Sequence, residues 1–141
     1  MVKTFNLQRF LTAQETTYNE ALSEITKGKK QSHWMWFIFP QIAGLGFTDY
    51  NVLYGIKNLE EATQYLQHPV LGKRLIEISK AVFEINGKTA NDIFGKPDDR
   101  KLKSCMTLFA QITKTDPIFQ KVLDKFYQGN KDEKTIQLLN N

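Results

Sequence analysis

Ser32-His33-Trp34-Met35-Trp36-Phe37-Ile38-Phe39-Pro40-Gln41 holds both tryptophans of the chain, two of its ten phenylalanines and one of its two histidines. Rings of this size each remove roughly 150–250 Å² from water when they pack, so the segment belongs inside the protein, with Trp34, Phe37 and Phe39 largely buried. It is nevertheless interrupted by groups that need hydrogen-bond partners once buried: the His33 imidazole, two indole N–H donors and the Gln41 amide. That mixture suits either a core-anchoring turn or the floor of a ligand pocket.

On the N-terminal side, Leu7, Phe10, Leu11, Tyr18, Ala21, Leu22 and Ile25 recur with a 3.6-residue period. They predict one long amphipathic helix to about Lys27, with Asn6 as its N-cap and Gly28 as its stop. Gln14 falls within the apolar stripe and Arg9 points away from it. Within the decapeptide, Ser32 is positioned to cap a short helix from Trp34 to Ile38 that ends before Pro40. His33 would then stand at a helix N-terminus, where free N–H groups and the dipole favour an anion.

On the C-terminal side the punctuation is regular. Gly44-Leu45-Gly46 lacks the third glycine and the acidic partner of a dinucleotide fingerprint and reads as a turn. A helical piece from about Thr48 would turn Tyr50, Leu53, Tyr54 and Ile56 inward. Asn58 to Glu61 reads as a capping box, His68-Pro69 as the start of a helix that stops at Asn86-Gly87, Thr89 as a cap, and Asp116-Pro117 as another start. Leu102, Cys105, Met106, Phe109 and Ile112 form a further stripe, and the tail from Asp132 suffices for a last short helix. No alternating run marks a strand. The expectation is an all-α fold, a single compact domain spanning residues 1–141, with seven to nine helices around the aromatic segment.

Composition narrows the function classes. With 41% hydrophobic and 24% charged residues among 141, the chain has the composition of an ordinary soluble globule. Met1-Val2-Lys3-Thr4-Phe5-Asn6 lacks the apolar core of a secretory signal and no run approaches a membrane span, so the expectation is a cytoplasmic monomer without membrane contact. One cysteine and two separated histidines, His33 and His68, give no metal-ligand spacing, and no cofactor is expected. The net charge of +4 favours an anionic ligand, whereas the absence of a helix-turn-helix, zinc finger or single-strand platform argues against nucleic acid.

The stretches Leu7 to Phe10 with Gln14 and Tyr18, Ser32 to Gln41, His68 to Gly72, Ile93-Phe94-Gly95, Pro97-Asp98-Asp99, Lys101-Leu102 and Ser104 to Phe109 together resemble an uncharacterised all-helical family, domain of unknown function 1810. The resemblance spans nearly the whole chain and implies a single helical domain of unknown function. The name calpastatin sometimes attached to such sequences is rejected, because an extended inhibitor would not carry this many periodic apolar faces. Family members often have a serine where this chain has Cys105, which implies that neither atom is a required nucleophile. A fainter similarity, in element order only, links the chain to helical ADP-ribose-processing glycosidases.

Two function classes remain open. In one, a cytosolic small-ligand binding protein or enzyme uses Trp34, Trp36 and Phe37 as a pocket floor, edged by Gln14, Tyr18, His33 and Gln41. A nucleotide or ADP-ribose-like compound would stack there, with Lys101 or Lys103 and Lys30 facing its phosphate. His33 would be the catalytic acid or base if chemistry occurs, Asp98 or Asp99 the next choices. In the other class, the chain is a non-enzymatic protein-interaction or structural helical module.

Overall fold

A computed structural model describes residues 4–141; Met1-Val2-Lys3, part of the start read above as lacking a signal, lie outside the described residues. The apolar periodicities become ten helices: α1 (Gln8–Gln14), α2 (Tyr18–Thr26), α3 (Met35–Ile38), α4 (Asp49–Tyr54), α5 (Leu59–Gln67), α6 (Leu71–Phe83), α7 (Ala90–Phe94), α8 (Asp98–Ala110), α9 (Ile118–Tyr127) and α10 (Glu133–Leu139). No strand occurs among the described residues; Ile42 and Ile56 form an isolated parallel bridge. The helix number exceeds the expected range because the first predicted helix is two. After Gln14 the ladder tightens, Thr17 N–H donating to Gln14 O at 3.1 Å, and the β-branched pair Thr16-Thr17 is a weak place for a helix to continue. The stripe survives the break, since Phe10, Gln14, Tyr18, Ala21 and Ile25 are all buried.

The caps follow the sequence reading closely. Lys29 N–H donates to Glu24 O at 3.1 Å and Gly28 N–H to Ile25 O at 2.8 Å, a Schellman stop that uses the positive φ of Gly28. Asn58 accepts from Glu61 N–H, His68 Nδ1 accepts from Val70 and Leu71 N–H, Thr89 and Asp92 form a reciprocal box, and Asp116 accepts from Ile118 N–H. The Asn58 box closes on one side only, Glu61 accepting from Lys57 N–H instead of Asn58 N–H, and two N-cap expectations fail. Leu7, not Asn6, precedes α1, without a side-chain cap. Ser32 does not cap α3, because its hydroxyl is held 2.6 Å from Glu24 and 2.7 Å from Glu20, so the helix begins only at Met35.

Packing is densest where α8 and α9 cross, and α6 lies against α2, α5 and α9. Trp34, Phe39, Tyr65, Phe109 and Phe119 are fully buried along this core. Phe10 meets Tyr65 edge-on at 5.0 Å, and Phe39 meets Phe94 the same way at 5.9 Å. A Cβ on Gly72 would stand 1.8 Å from Leu66 O, so only glycine lets α6 approach α5 there. Phe37 departs from the expected burial: it is half-buried and packs on Tyr54 at 5.3 Å. α4 departs further. None of its residues is buried, and Tyr50 and Leu53, expected inward, are about half exposed, while Ile56 beyond its end is buried.

Candidate functional site

The aromatic decapeptide is held from below by a carboxylate. Glu24, on the edge of the α2 stripe, accepts from Gln31 N–H at 2.7 Å, Ser32 N–H at 2.9 Å and Trp34 Nε1–H at 3.0 Å. Burial raises its pKa, but these bonds and the Ser32 hydroxyl outweigh burial and hold the carboxyl down at about 2. Trp34 is thereby fixed in the core and Trp36, two residues on, faces the opposite side, half-buried. Neither Glu24 nor its role was foreseen, although a carboxylate beside an apolar stripe gives the same signal that singled out Gln14.

One recess opens beside Trp36 and a second adjoins it. The inner one is lined by Trp36, Gln41, Tyr50 and Tyr54 with the glycine turn, and leaves about 10 Å³, room for about one water. The outer one, about 270 Å³, shares Gln41, Leu45, Gly46 and Asn51 with it and continues to Arg100, Lys101, Ser104 and Asp132. The stretches that carry the family resemblance, residues 32–41 and 97–109, therefore meet here.

Lys101 Nζ lies 4.5 Å over the Trp36 ring and 3.4 Å from Asp98, which also pairs with Lys30 at 2.9 Å; Lys30 in turn lies 5.0 Å over Trp34. One carboxylate thus serves two ammonium groups, leaving a positive surplus at a partly desolvated place. Arg100 adds an exposed cation at the same rim. The side-chain amides of Gln41 and Asn51 make no hydrogen bond to other described residues, so donors and acceptors face the recess unused. Ser104 Oγ stands 3.1 Å from Asp132 Oδ2, but that oxygen also receives Thr135 N–H at 3.1 Å as the cap of α10. The pair docks α10 on α8.

The other residues singled out from sequence lie elsewhere. Gln14 is buried with its amide engaged throughout: Nε2–H donates to Phe37 O at 2.7 Å and to Tyr65 Oη at 3.0 Å, and Oε1 accepts from Arg74 at 3.3 Å. Tyr18 donates toward Glu77 and Arg74 O, and burial, then Glu77, pushes its hydroxyl pKa up. His33 is exposed and lines neither recess, and α3, four residues long and starting two residues later, offers it no helix terminus. Lys103 lies 6.0 Å over Tyr127, away from Trp36. Trp36, Gln41 and Lys101 are brought together; Gln14, Tyr18, His33, Trp34, Phe37 and Lys103 are not among them. Cys105 is buried and burial pushes its thiol pKa up. Among the described residues no three His, Cys, Asp or Glu side chains converge as a metal site, and no helix is long and apolar enough to cross a membrane.

The class defined by these features is an all-α protein with a small aromatic-walled recess adjoining a larger one that carries basic side chains. The chain belongs to the family described as Protein of unknown function (DUF1810), whose model matches residues 4–139. It is similar to the crystal structure of the conserved hypothetical protein Rv1873 from Mycobacterium tuberculosis, with 47% identity, coverage of 97% of this chain and 98% of that chain, and a TM-score of 0.95. No curated protein matches the chain.

Proposed function

We propose that the protein, a single helical domain and cytoplasmic monomer, binds a small anionic ligand bearing a planar ring, a nucleotide or ADP-ribose-like compound, in the recess between Trp36 and α8. The observation that carries this reading is Lys101, set over the Trp36 ring while sharing Asp98 with Lys30. A ring stacked on Trp36 would have its phosphate within reach of Lys101 and Arg100, and the amide of Gln41 would fix its orientation. Gln14 and Trp34 support the wall from behind rather than touch the ligand.

The test is a titration of AMP and of ADP-ribose followed by tryptophan fluorescence, because Trp36 is half-buried whereas Trp34 is sealed in the core. Binding should be saturable, weakened at least tenfold by Lys101→Met, and silent in fluorescence for Trp36→Phe, with melting temperatures of both variants close to wild type. A wild type that shows no saturable response to either compound overturns the reading. A second reading, an interaction module without a small ligand, is favoured by the exposure of Phe47, Tyr50, Val52 and Leu53 around α4. It predicts that introducing a charge at Phe47 or Val52 abolishes partner capture, with nucleotide response absent throughout.

A further inference from the structure

Tyr50 lies 4.9 Å from Trp36 with the two rings inclined by 31°, covering the indole that a ligand's ring would use. The inner recess is correspondingly reduced to about 10 Å³, too small for any ring. Tyr50 rides on α4, whose attachment is lopsided. At its C-terminal end Arg9 donates to Leu53 O at 2.7 Å and to Gly55 O at 3.0 Å, while Ile56 N–H donates to Gln41 O at 2.8 Å and Ala43 N–H to Ile56 O at 2.7 Å. At its N-terminal end the chain arrives through Gly44-Leu45-Gly46, with Gly44 at φ +102°, a conformation that other residues rarely adopt. Apolar burial holds little of the helix: Phe47 just before it is 84% exposed, and Tyr50, Val52 and Leu53 along it are 53%, 68% and 49% exposed. An element with so few buried apolar contacts belongs to the low-stability part of a fold, where local opening is easiest.

We propose that α4 is a lid pivoting about its Arg9-pinned end, and that Tyr50 holds the place of the ligand's planar ring until a ligand displaces it. Opening uncovers Trp36 and joins the inner recess to the outer one, giving a ring and its phosphate one continuous site. This rests on the ligand reading above and adds its regulation: ring binding competes with an internal aromatic pair, so affinity is set partly by Tyr50.

Two measurements on the full chain test it. Without ligand, hydrogen exchange should be faster for the amides of α4 than for those of α5, and protection equal to that of α5 overturns the lid whatever binds. With AMP as the probe, Tyr50→Ala should tighten binding by about three- to tenfold, the cost of breaking one aromatic pair. Unchanged or weaker binding in that variant overturns the stand-in role of Tyr50, making it a wall of the site instead. If neither protein binds AMP or ADP-ribose, the ligand reading falls and Tyr50's role with it.

Discussion

Trp34 Nε1–H donates to Glu24 Oε1 at 3.0 Å, and the same oxygen receives the backbone N–H groups of Gln31 and Ser32. The largest side chain of the core is thus oriented by a carboxylate ten residues earlier, and the loop between α2 and α3 closes on that carboxylate. Trp34 is sealed in the core, and Trp36 is the tryptophan that lines the inner recess.

Acid stability should report this carboxylate. The folded-state pKa of Glu24, about 2, lies below its ordinary value of 4.5, so its contribution is complete above about pH 4.5 and is lost as the pH falls toward 2. Glu24→Gln should lower stability at neutral pH by about 1–3 kcal/mol, as expected for a loss of charge-assisted bonds, and flatten the decline between pH 4.5 and 2. Urea unfolding across that range is the measurement, and parallel pH curves for variant and wild type would refute the assignment.

Phe39 and Phe37, two residues apart, should respond differently to truncation. Phe39 is sealed between Trp34 and Phe94, so Phe39→Ala should cost about 3–5 kcal/mol in transfer and cavity terms. Phe37 is half-buried, and Phe37→Ala should cost about 1–2 kcal/mol. Denaturant midpoints decide it; equal losses would mean that Phe37 is as enclosed as its neighbour.

Gln14 and His33 should separate in the same way. Gln14→Ala strands Tyr65 Oη, Phe37 O and the Arg74 guanidinium in or beside the core and should cost about 2–3 kcal/mol. His33→Ala removes an exposed side chain and should stay within about 0.5 kcal/mol. Thermal melts of the two variants would contradict this if His33→Ala were the less stable.

Apolar periodicity and cap chemistry were legible because they are local. Leu75, Ile78 and Val82 are buried on α6 as their spacing requires, and Thr89 with Asp92 closes the box that opens α7. The site was legible only where residues carry it on adjacent segments, as with Trp36 and Gln41. Lys101 was named as a phosphate partner, but its position over Trp36 depends on how α8 packs against α3. Tyr50 misled because its helical spacing is correct while its helix stands off the core. Arg9, Glu24 and Glu61 are exceptions to the usual exposure of charged side chains, and only tertiary packing creates them.

Arg9 is the sharpest of these exceptions and yields the last prediction. Its spacing points it away from the apolar stripe of α1, yet its guanidinium pairs with Glu61 at 2.9 Å and also donates to Asn6 O, Leu53 O and Gly55 O. Glu61 is fully buried and its other oxygen accepts from Lys57 N–H at 2.7 Å, so the half of the capping box expected to return to Asn58 is diverted one residue upstream. Breaking such a pair leaves a charge in low dielectric, whereas replacing both partners removes the charge altogether. Arg9→Met alone should therefore cost about 3–5 kcal/mol, and adding Glu61→Gln should restore part of that loss rather than add to it. A double-mutant cycle by urea unfolding measures the coupling. Strictly additive losses would show that Arg9 acts only through the carbonyls of Asn6, Leu53 and Gly55 and that its pairing with Glu61 contributes nothing.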